Sequence, residues 1–156
     1  MPQEIERKFL VKSDAYKTAS FHSHHITQGY IATNSSATVR IRIQEDLGFI
    51  TIKGKSNDTG TSRYEWEKEI SFEEAKELLL LCSAGVIDKI RYKIRVKDFI
   101  YEVDEFFGDN DGLVIAEIEL NHEEDEFEKP DWIGQEVTGD SKYYNAMLIR
   151  HPFCNW

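Results

Sequence analysis

Hydrophobic and polar residues alternate along most of this chain with a period of two, the pattern of β-strands that have one apolar face and one polar face. The alternation predicts strands over 3–11, 25–33, 37–44, 47–54, 62–71, 87–97, 99–107 and 113–121. Short turn signals separate them, among them Asn34-Ser35-Ser36 and Lys97-Asp98. Strands that follow one another in the sequence are therefore expected to pair antiparallel.

Helices are predicted where this alternation breaks. The sequence Ser71-Phe72-Glu73-Glu74 fits a capping box, in which the Ser71 hydroxyl accepts a bond from an otherwise unpaired amide and Glu74 bonds back to the cap. Helices are predicted over 13–19, over 72–83, and from Asp140 or Ser141 to a point before Pro152. The fold class is thus α+β and mostly β.

The polar faces of the predicted strands are ionic. Residues two apart in a strand share a face, so the charges fall into groups that are separated largely by sign. These faces contain Glu4, Glu6 and Lys8; Arg40 and Arg42; Lys53; Glu65 and Glu67; Lys89 and Arg91; Asp104; and Glu117 and Glu119. A buried ion costs several kcal/mol, whereas a whole domain is stable by only about 5–15 kcal/mol, so these faces must contact water.

Two architectures would keep the ionic faces wet. In an open sheet, the apolar face packs on helices and the ionic face forms solvated cross-strand pairs. In a closed eight-stranded antiparallel barrel, the ionic faces point into an aqueous lumen and the helices cover the outside. The barrel accounts better for the separation of charges by sign, because like charges on adjacent strands repel unless an oxyanion and metal ions lie between them.

Composition limits the classes of partner. The chain has 156 residues, 19 Lys and Arg against 29 Asp and Glu, a net charge of −10, and 40% hydrophobic residues. This length predicts one domain over 1–156. An acidic surface argues against nucleic acid and anionic membranes as general partners. With no apolar run long enough to cross a bilayer and an N-terminus rich in acids, the protein is expected to be cytoplasmic.

Carboxylates and cations on the same wet face indicate a particular chemistry. Carboxylate oxygens bind hard cations, and Mg²⁺ typically uses one or two protein carboxylates together with water and substrate phosphate. Guanidinium and ammonium groups bind phosphate oxygens. The expected ligand is therefore a small molecule that contains several phosphoryl groups.

Several segments, taken in order, resemble one family. Glu4-Ile5-Glu6-Arg7-Lys8 has the E-x-E-x-K signature of the CYTH superfamily, the triphosphate tunnel metalloenzymes. Later segments resemble the pattern of the same family: Gln28-Gly29-Tyr30, Val39-Arg40-Ile41-Arg42, Thr51-Ile52-Lys53, Glu65-Trp66-Glu67, Lys89-Ile90-Arg91, Val103-Asp104, Glu117-Ile118-Glu119 and 139–145. The resemblance implies a closed eight-stranded tunnel that acts on triphosphates with Mg²⁺ or Mn²⁺.

The resemblance also implies roles for single residues. It gives Glu4, Glu6, Glu117 and Glu119 as metal ligands, with Asp104 and Glu65 or Glu67 for a second metal or for the positioning of water. It gives Lys8, Arg40, Arg42, Lys53, Lys89 and Arg91 as the phosphate-binding cations. Tyr30 corresponds to a family tyrosine that would accept or relay a proton, with packing or gating as the alternative. The expected reaction is hydrolysis of the terminal phosphoanhydride of inorganic tripolyphosphate or a related triphosphate.

Other functions stay open from the sequence. A thiamine triphosphatase or an adenylate cyclase would share the tunnel and differ in what surrounds the tail of the substrate. A non-catalytic module that binds polyphosphate or phosphorylated protein would need the cations but not the carboxylates. His22, His24 and His25 are interpreted as solvated loop histidines. An outer apolar face that the helices cover incompletely would favour a homodimer.

Overall fold

Nine strands and three α-helices run through the described part of the chain, which in this computed structural model comprises residues 3–33 and 36–156. The strands are β1 Gln3–Val11, β2 His22–Thr33, β3 Ala37–Gln44, β4 Leu47–Gly54, β5 Ser62–Ile70, β6 Val86–Val96, β7 Phe99–Phe106, β8 Val114–Glu119 and β9 Ile133–Glu136. The helices are α1 Ala15–Ala19, α2 Phe72–Leu79 and α3 Asn145–Arg150. Asn34 and Ser35 of the first predicted turn lie outside the described residues.

Strands β1 to β8 form a closed antiparallel barrel. Their order around it is β5-β4-β3-β2-β6-β7-β8-β1, and a further pairing of β1 with β5, with Glu4 opposite Arg63, closes the ring. The closed barrel predicted from the charge pattern is therefore confirmed, and the open sheet is excluded. Closure places residues from distant parts of the sequence around a shared interior.

The ninth strand was not predicted. Strand β9 is four residues long and pairs with β1 beside a register shift between Phe9 and Val11. A segment this short contains too few alternating positions to be recognised from the sequence. It extends the sheet beyond the eight-stranded barrel and directs the chain toward α3.

Helix α2 begins as predicted and ends earlier. Ser71 Oγ accepts a bond from the Glu74 amide and Glu74 Oε1 accepts one from the Ser71 amide, each at 3.0 Å, which completes the capping box. The helix ends at Leu79 rather than at residue 83, because the amides of the next residues bond to carbonyls three positions back. A side chain at Gly48 would place its Cβ 2.7 Å from Cβ of Ala75, so glycine is required where α2 crosses β4.

The interior of the barrel is apolar at one end. Ile87, Phe106 and Ile115 share strand faces with Lys89, Asp104 and Glu117, yet they pack with Leu148 of α3. The expectation of an inward face that is ionic almost throughout is thus corrected, because the inward positions of β6, β7 and β8 at this end of the barrel are apolar. Helix α3 packs against this end, while a second apolar cluster lies outside the barrel around Tyr101 and Trp132.

The helices of the described residues are short. Helix α2, the longest of the three, has eight residues. No helix in residues 3–33 and 36–156 has the length and hydropathy needed to cross a membrane.

Candidate active site

Thirteen of the fourteen predicted site residues line a cavity of about 580 Å³ inside the barrel. They are Glu4, Glu6, Lys8, Tyr30, Arg40, Arg42, Lys53, Glu65, Glu67, Lys89, Arg91, Glu117 and Glu119. The exception is Asp104, which does not line the cavity. The volume lies in the range of small-molecule sites, which is about 300–1,000 Å³.

Cations from β3 and β6 form one wall. Arg40, Arg42, Lys89 and Arg91 are all at least nine-tenths buried, and their side chains come from strands separated in the barrel by β2. Burial first, and then the charges of Arg40 and Arg91, lower the pKa of Arg42. This electrostatic strain among like charges would be relieved by an anion in the cavity.

Asp104 lies behind this wall and neutralises part of it. Its Oδ1 accepts a bond from Arg91 Nε at 2.8 Å, and its Oδ2 accepts bonds from Arg91 Nη2 at 2.9 Å and Lys89 Nζ at 2.7 Å. Burial disfavours the charged carboxylate, but the charges of Arg91 and Lys89 outweigh burial and hold the Asp104 pKa well below its usual range. The structure therefore brings Asp104 to two cations and not to the other predicted metal ligands.

A second network connects this wall to the C-terminal helix. Asn145 Oδ1 accepts a bond from Lys89 Nζ at 2.9 Å and another from Gln28 Nε2 at 3.0 Å. Gln28 Oε1 in turn accepts a bond from Arg42 Nε at 3.1 Å. The orientation of Arg42 thus depends on a side chain at the start of α3.

Carboxylates from β1 and β8 form another part of the cavity wall. Glu6 lies opposite Glu119 in the strand register, and Lys8 lies opposite Glu117. Burial, followed by the charge of Glu117, raises the pKa of Glu6 to about 8. Burial likewise raises the pKa of Glu4 and of Glu119. Glu117 differs, because the charges of Lys8 and Arg91 outweigh burial and lower its pKa to about 2.

The donor set of this wall fits a hard divalent cation. Carboxylate oxygens are the ligands that Mg²⁺ and Mn²⁺ prefer, and a cation would favour the ionised forms of Glu4, Glu6 and Glu119, which burial disfavours. The side chains are not yet arranged as a coordination shell, since no three Asp, Glu, His or Cys residues in the described ranges converge as ligands. Lys53 Nζ donates to both Glu4 oxygens, at 3.0 and 3.2 Å, and occupies part of this space.

Glu67 is held beside the cationic wall by a buried hydroxyl. Thr51 Oγ1 donates to Glu67 Oε1 at 2.7 Å and accepts a bond from Arg40 Nη2 at 3.1 Å. Tyr30 lies opposite Arg40 in the register of β2 and β3 and lines the same cavity. Glu67 is therefore close to the guanidinium group of Arg40, and Tyr30 is the neighbour of Arg40 on the adjacent strand.

Some residues of the site were not predicted. Arg63 lines the cavity, and its Nε lies 3.8 Å from Glu4 Oε1. It lies two residues before Glu65 on β5, so the alternation of that strand would have predicted its inward position. Asn145 lay in a segment that resembled the family, but no role was assigned to it. His24 was interpreted as a solvated loop residue, and this is wrong: β2 begins at His22, and His24 is 5% exposed in the cavity wall.

Comparisons with known proteins identify the family and agree with the fold. The CYTH domain profile matches residues 2–148. An inorganic triphosphatase of Acetivibrio thermocellus is 50% identical over 157 residues, which cover 100% of this chain and 99% of the relative. An inorganic triphosphatase of Nitrosomonas europaea is 34% identical over 149 residues, covering 93% and 95% of the two chains. The crystal structure of an inorganic triphosphatase superposes with a TM-score of 0.63 at 32% identity, over 94% of this chain and 97% of that one.

Proposed function

Since the chain belongs to the CYTH domain family, we propose that it is a metal-dependent triphosphatase that hydrolyses the terminal phosphoanhydride of inorganic tripolyphosphate. The two relatives described above are named inorganic triphosphatases, and one of them is 50% identical over its full length. Identity of this extent supports transfer of the reaction class to this chain.

The observation that carries the proposal is that cations and carboxylates line one cavity. Arginines and lysines on β3 and β6 line the same volume of about 580 Å³ as carboxylates on β1 and β8. A triphosphate needs cations along its oxygens, and its hydrolysis needs charge neutralisation and an oriented water. A site that only bound phosphate would gain nothing from buried carboxylates, because they repel the ligand.

The cationic wall is proposed to bind the substrate. Arg40, Arg42 and Arg91 present guanidinium groups that suit phosphate oxygens. Lys8, Lys53 and Lys89 are proposed as further phosphate contacts, with Lys89 also holding Asp104 and Asn145 in place. These groups would position the chain of phosphates and stabilise negative charge on the departing phosphate.

Glu4, Glu6, Glu117 and Glu119 are proposed to hold Mg²⁺ or Mn²⁺. Such a cation, when bound, supplies neutralisation of the phosphate charge and acidifies water. Glu65 is proposed as a further carboxylate toward the metal. Glu67 and Tyr30, next to Arg40, are proposed to orient the attacking water and to accept its proton.

Asp104 is proposed to act through Arg91 and Lys89 rather than as a metal ligand. Both of its oxygens already accept bonds from these two side chains. It is therefore a positioning residue, whose carboxylate fixes the orientation of two phosphate-binding groups. This assignment replaces the catalytic and metal-binding roles that the family resemblance implies for Asp104.

Phosphate release tests the reaction and separates it from its relatives. Purified protein is assayed with tripolyphosphate, ATP and thiamine triphosphate, each with Mg²⁺, with Mn²⁺ and with a chelator, and ATP reactions are also assayed for cyclic AMP. The proposal predicts metal-dependent release that is fastest from tripolyphosphate. Faster phosphate release from thiamine triphosphate, or formation of cyclic AMP from ATP, would indicate that the substrate is an organic triphosphate and not tripolyphosphate.

Variants separate a hydrolase from a binding module. Glu6→Gln and Glu117→Gln are expected to lower kcat by orders of magnitude while tripolyphosphate still binds. Glu105→Gln is the matched control, because Glu105 lies on the outer face of β7 and pairs with Lys17. Turnover that stays at the wild-type value in both cavity variants contradicts the proposed metal ligands.

A further inference from the structure

His24 occupies an unusual position for a histidine. It lies on the inward face of β2, directly opposite Arg91 of β6, and lines the cavity with 5% of its surface exposed. His22, two residues earlier on the same strand, is exposed, and the two ring centroids are 5.1 Å apart. The two histidines therefore form a natural pair of test and control.

Both ring nitrogens of His24 are buried without a hydrogen-bond partner. Among the residues that the structure describes, one further buried side-chain nitrogen lacks a hydrogen-bond partner. It is Nε of Arg40, which belongs to the wall of the same cavity. Buried polar groups in folded proteins nearly always have hydrogen-bond partners, and each exception requires an explanation. Since all of these exceptions lie in the cavity wall, a ligand of the cavity could supply the partner that each of them lacks.

The surroundings of His24 determine which form of the ring meets that ligand. Burial first, and then the charges of Arg91, His22, Lys93 and Arg42, lower the pKa of His24 to about 4. The ring is therefore neutral near pH 7, with one N–H donor and one acceptor nitrogen. The ring nitrogens of His24 have no hydrogen-bond partner among the described residues, so its N–H can donate to an acceptor from outside the protein.

We propose that His24 binds the substrate by donating its ring N–H to a phosphoryl oxygen of the triphosphate, next to Arg91. The inference rests on the proposed function, because it requires a phosphate chain in this cavity. A neutral donor adds a directional bond to a wall in which a further cation would repel its neighbours. His24 is thus a substrate-binding residue and takes no part in bond cleavage.

The direct test observes the ring nitrogens. Protein labelled with ¹⁵N is titrated with tripolyphosphate in the presence of a chelator, so that binding is measured without turnover. A change in the ¹⁵N shifts of His24 that saturates with tripolyphosphate, together with little change at His22, is expected. Unchanged His24 nitrogens at saturation, with other cavity resonances shifted, overturn the proposal.

Substitution gives an independent measurement. His24→Phe replaces the imidazole by a somewhat larger aromatic ring without a donor, and it should weaken tripolyphosphate binding about 10- to 100-fold, the range for a bond to a charged group. His24→Asn restores an N–H donor and is expected to recover part of the affinity, whereas His22→Phe should leave it close to wild type. Equal affinity in His24→Phe and wild type, measured by calorimetry on folded protein, overturns the proposal.

The two proposals fail in different ways. If tripolyphosphate binds to the wild-type protein and changes the ¹⁵N shifts of His24, but no metal supports phosphate release, the His24 contact is supported and the proposed hydrolysis is contradicted. If the protein hydrolyses tripolyphosphate but the ¹⁵N shifts of His24 do not change on binding, the proposed hydrolysis is supported and the His24 contact is contradicted. Should His24→Phe fail to fold, the titration of the wild-type protein decides alone.

Discussion

Arg91 and Asp104 form a buried bidentate ion pair across β6 and β7. Nε and Nη2 of Arg91 donate to the two carboxylate oxygens of Asp104 at 2.8 and 2.9 Å, and the two residues lie opposite each other in the strand register. The ammonium of Lys89 shares the same carboxylate. One acidic side chain therefore fixes two cations of the cavity wall.

Asp104→Asn should destabilise the fold and leave the metal requirement unchanged. Loss of one partner of a buried ion pair costs about 3–5 kcal/mol, because the remaining charges stay buried. We expect a lower thermal midpoint and a higher KM for tripolyphosphate, at the same half-saturating metal concentration as the wild type. Asp109→Asn, at an exposed turn, is the control. A large increase in the metal requirement alone would instead identify Asp104 as a ligand.

Thr51→Val should separate Glu67 from Arg40 with little change of shape. The variant removes the hydroxyl that donates to Glu67 and accepts from Arg40 at a fully buried position. An unpaired buried partner costs about 1–3 kcal/mol. Denaturant unfolding and steady-state kinetics should show lower stability and lower kcat/KM. The same change at Thr18, which is exposed on α1, should affect neither, and wild-type kinetics in Thr51→Val would exclude a role for the bridge.

Asn145→Ala should loosen the connection between α3 and the cationic wall. Its carbonyl oxygen accepts bonds from both Lys89 and Gln28, and the bond from Gln28 to Arg42 depends on that arrangement. The expected result is a several-fold increase in KM, with faster amide hydrogen exchange in α3. Asn155→Ala, in the exposed C-terminal turn, serves as the comparison. If exchange in α3 is unchanged in Asn145→Ala, the network does not hold the helix.

The His24 pKa predicts a particular dependence of stability on pH. The folded value is about 4 against an ordinary value of 6.5, so between these values the unfolded state binds more protons than the folded state. This group therefore favours the fold fully above pH 6.5, and its contribution is lost as pH falls toward 4. Thermal midpoints measured over this range should fall less steeply in His24→Asn than in the wild type. His122→Asn, at an exposed position after β8, should keep the wild-type slope.

Alternation along the chain was sufficient to predict the faces of the strands. Glu4, Glu6 and Lys8 share a face because they lie two residues apart, and this rule holds wherever a strand forms. The same rule assigned Arg40 with Arg42 and Lys89 with Arg91, and the structure places all of these residues around the cavity. What faces inward is therefore a local property of the sequence.

The partner of each inward residue is not local. Asp104 has the same chemistry as Glu117, but the register places Asp104 opposite Arg91 and Glu117 opposite Lys8. Register depends on turn geometry and on pairing between distant strands, which composition does not encode. His24 was missed for a related reason, since the start of β2 at His22 depends on pairing of this segment with β6.

Strand β1 has a consequence for the biosynthesis of this protein. Its partners are β5, β8 and β9, so its hydrogen bonds are complete only after residues 62–64, 115–119 and 133–136 have been synthesised. Strand β1 must therefore wait, with Glu4 and Glu6 exposed, until the segments that pair with it, up to residue 136, have been synthesised. Because such distant pairings slow folding, the barrel should close late, and nascent chains that end before β8 should be sensitive to proteases.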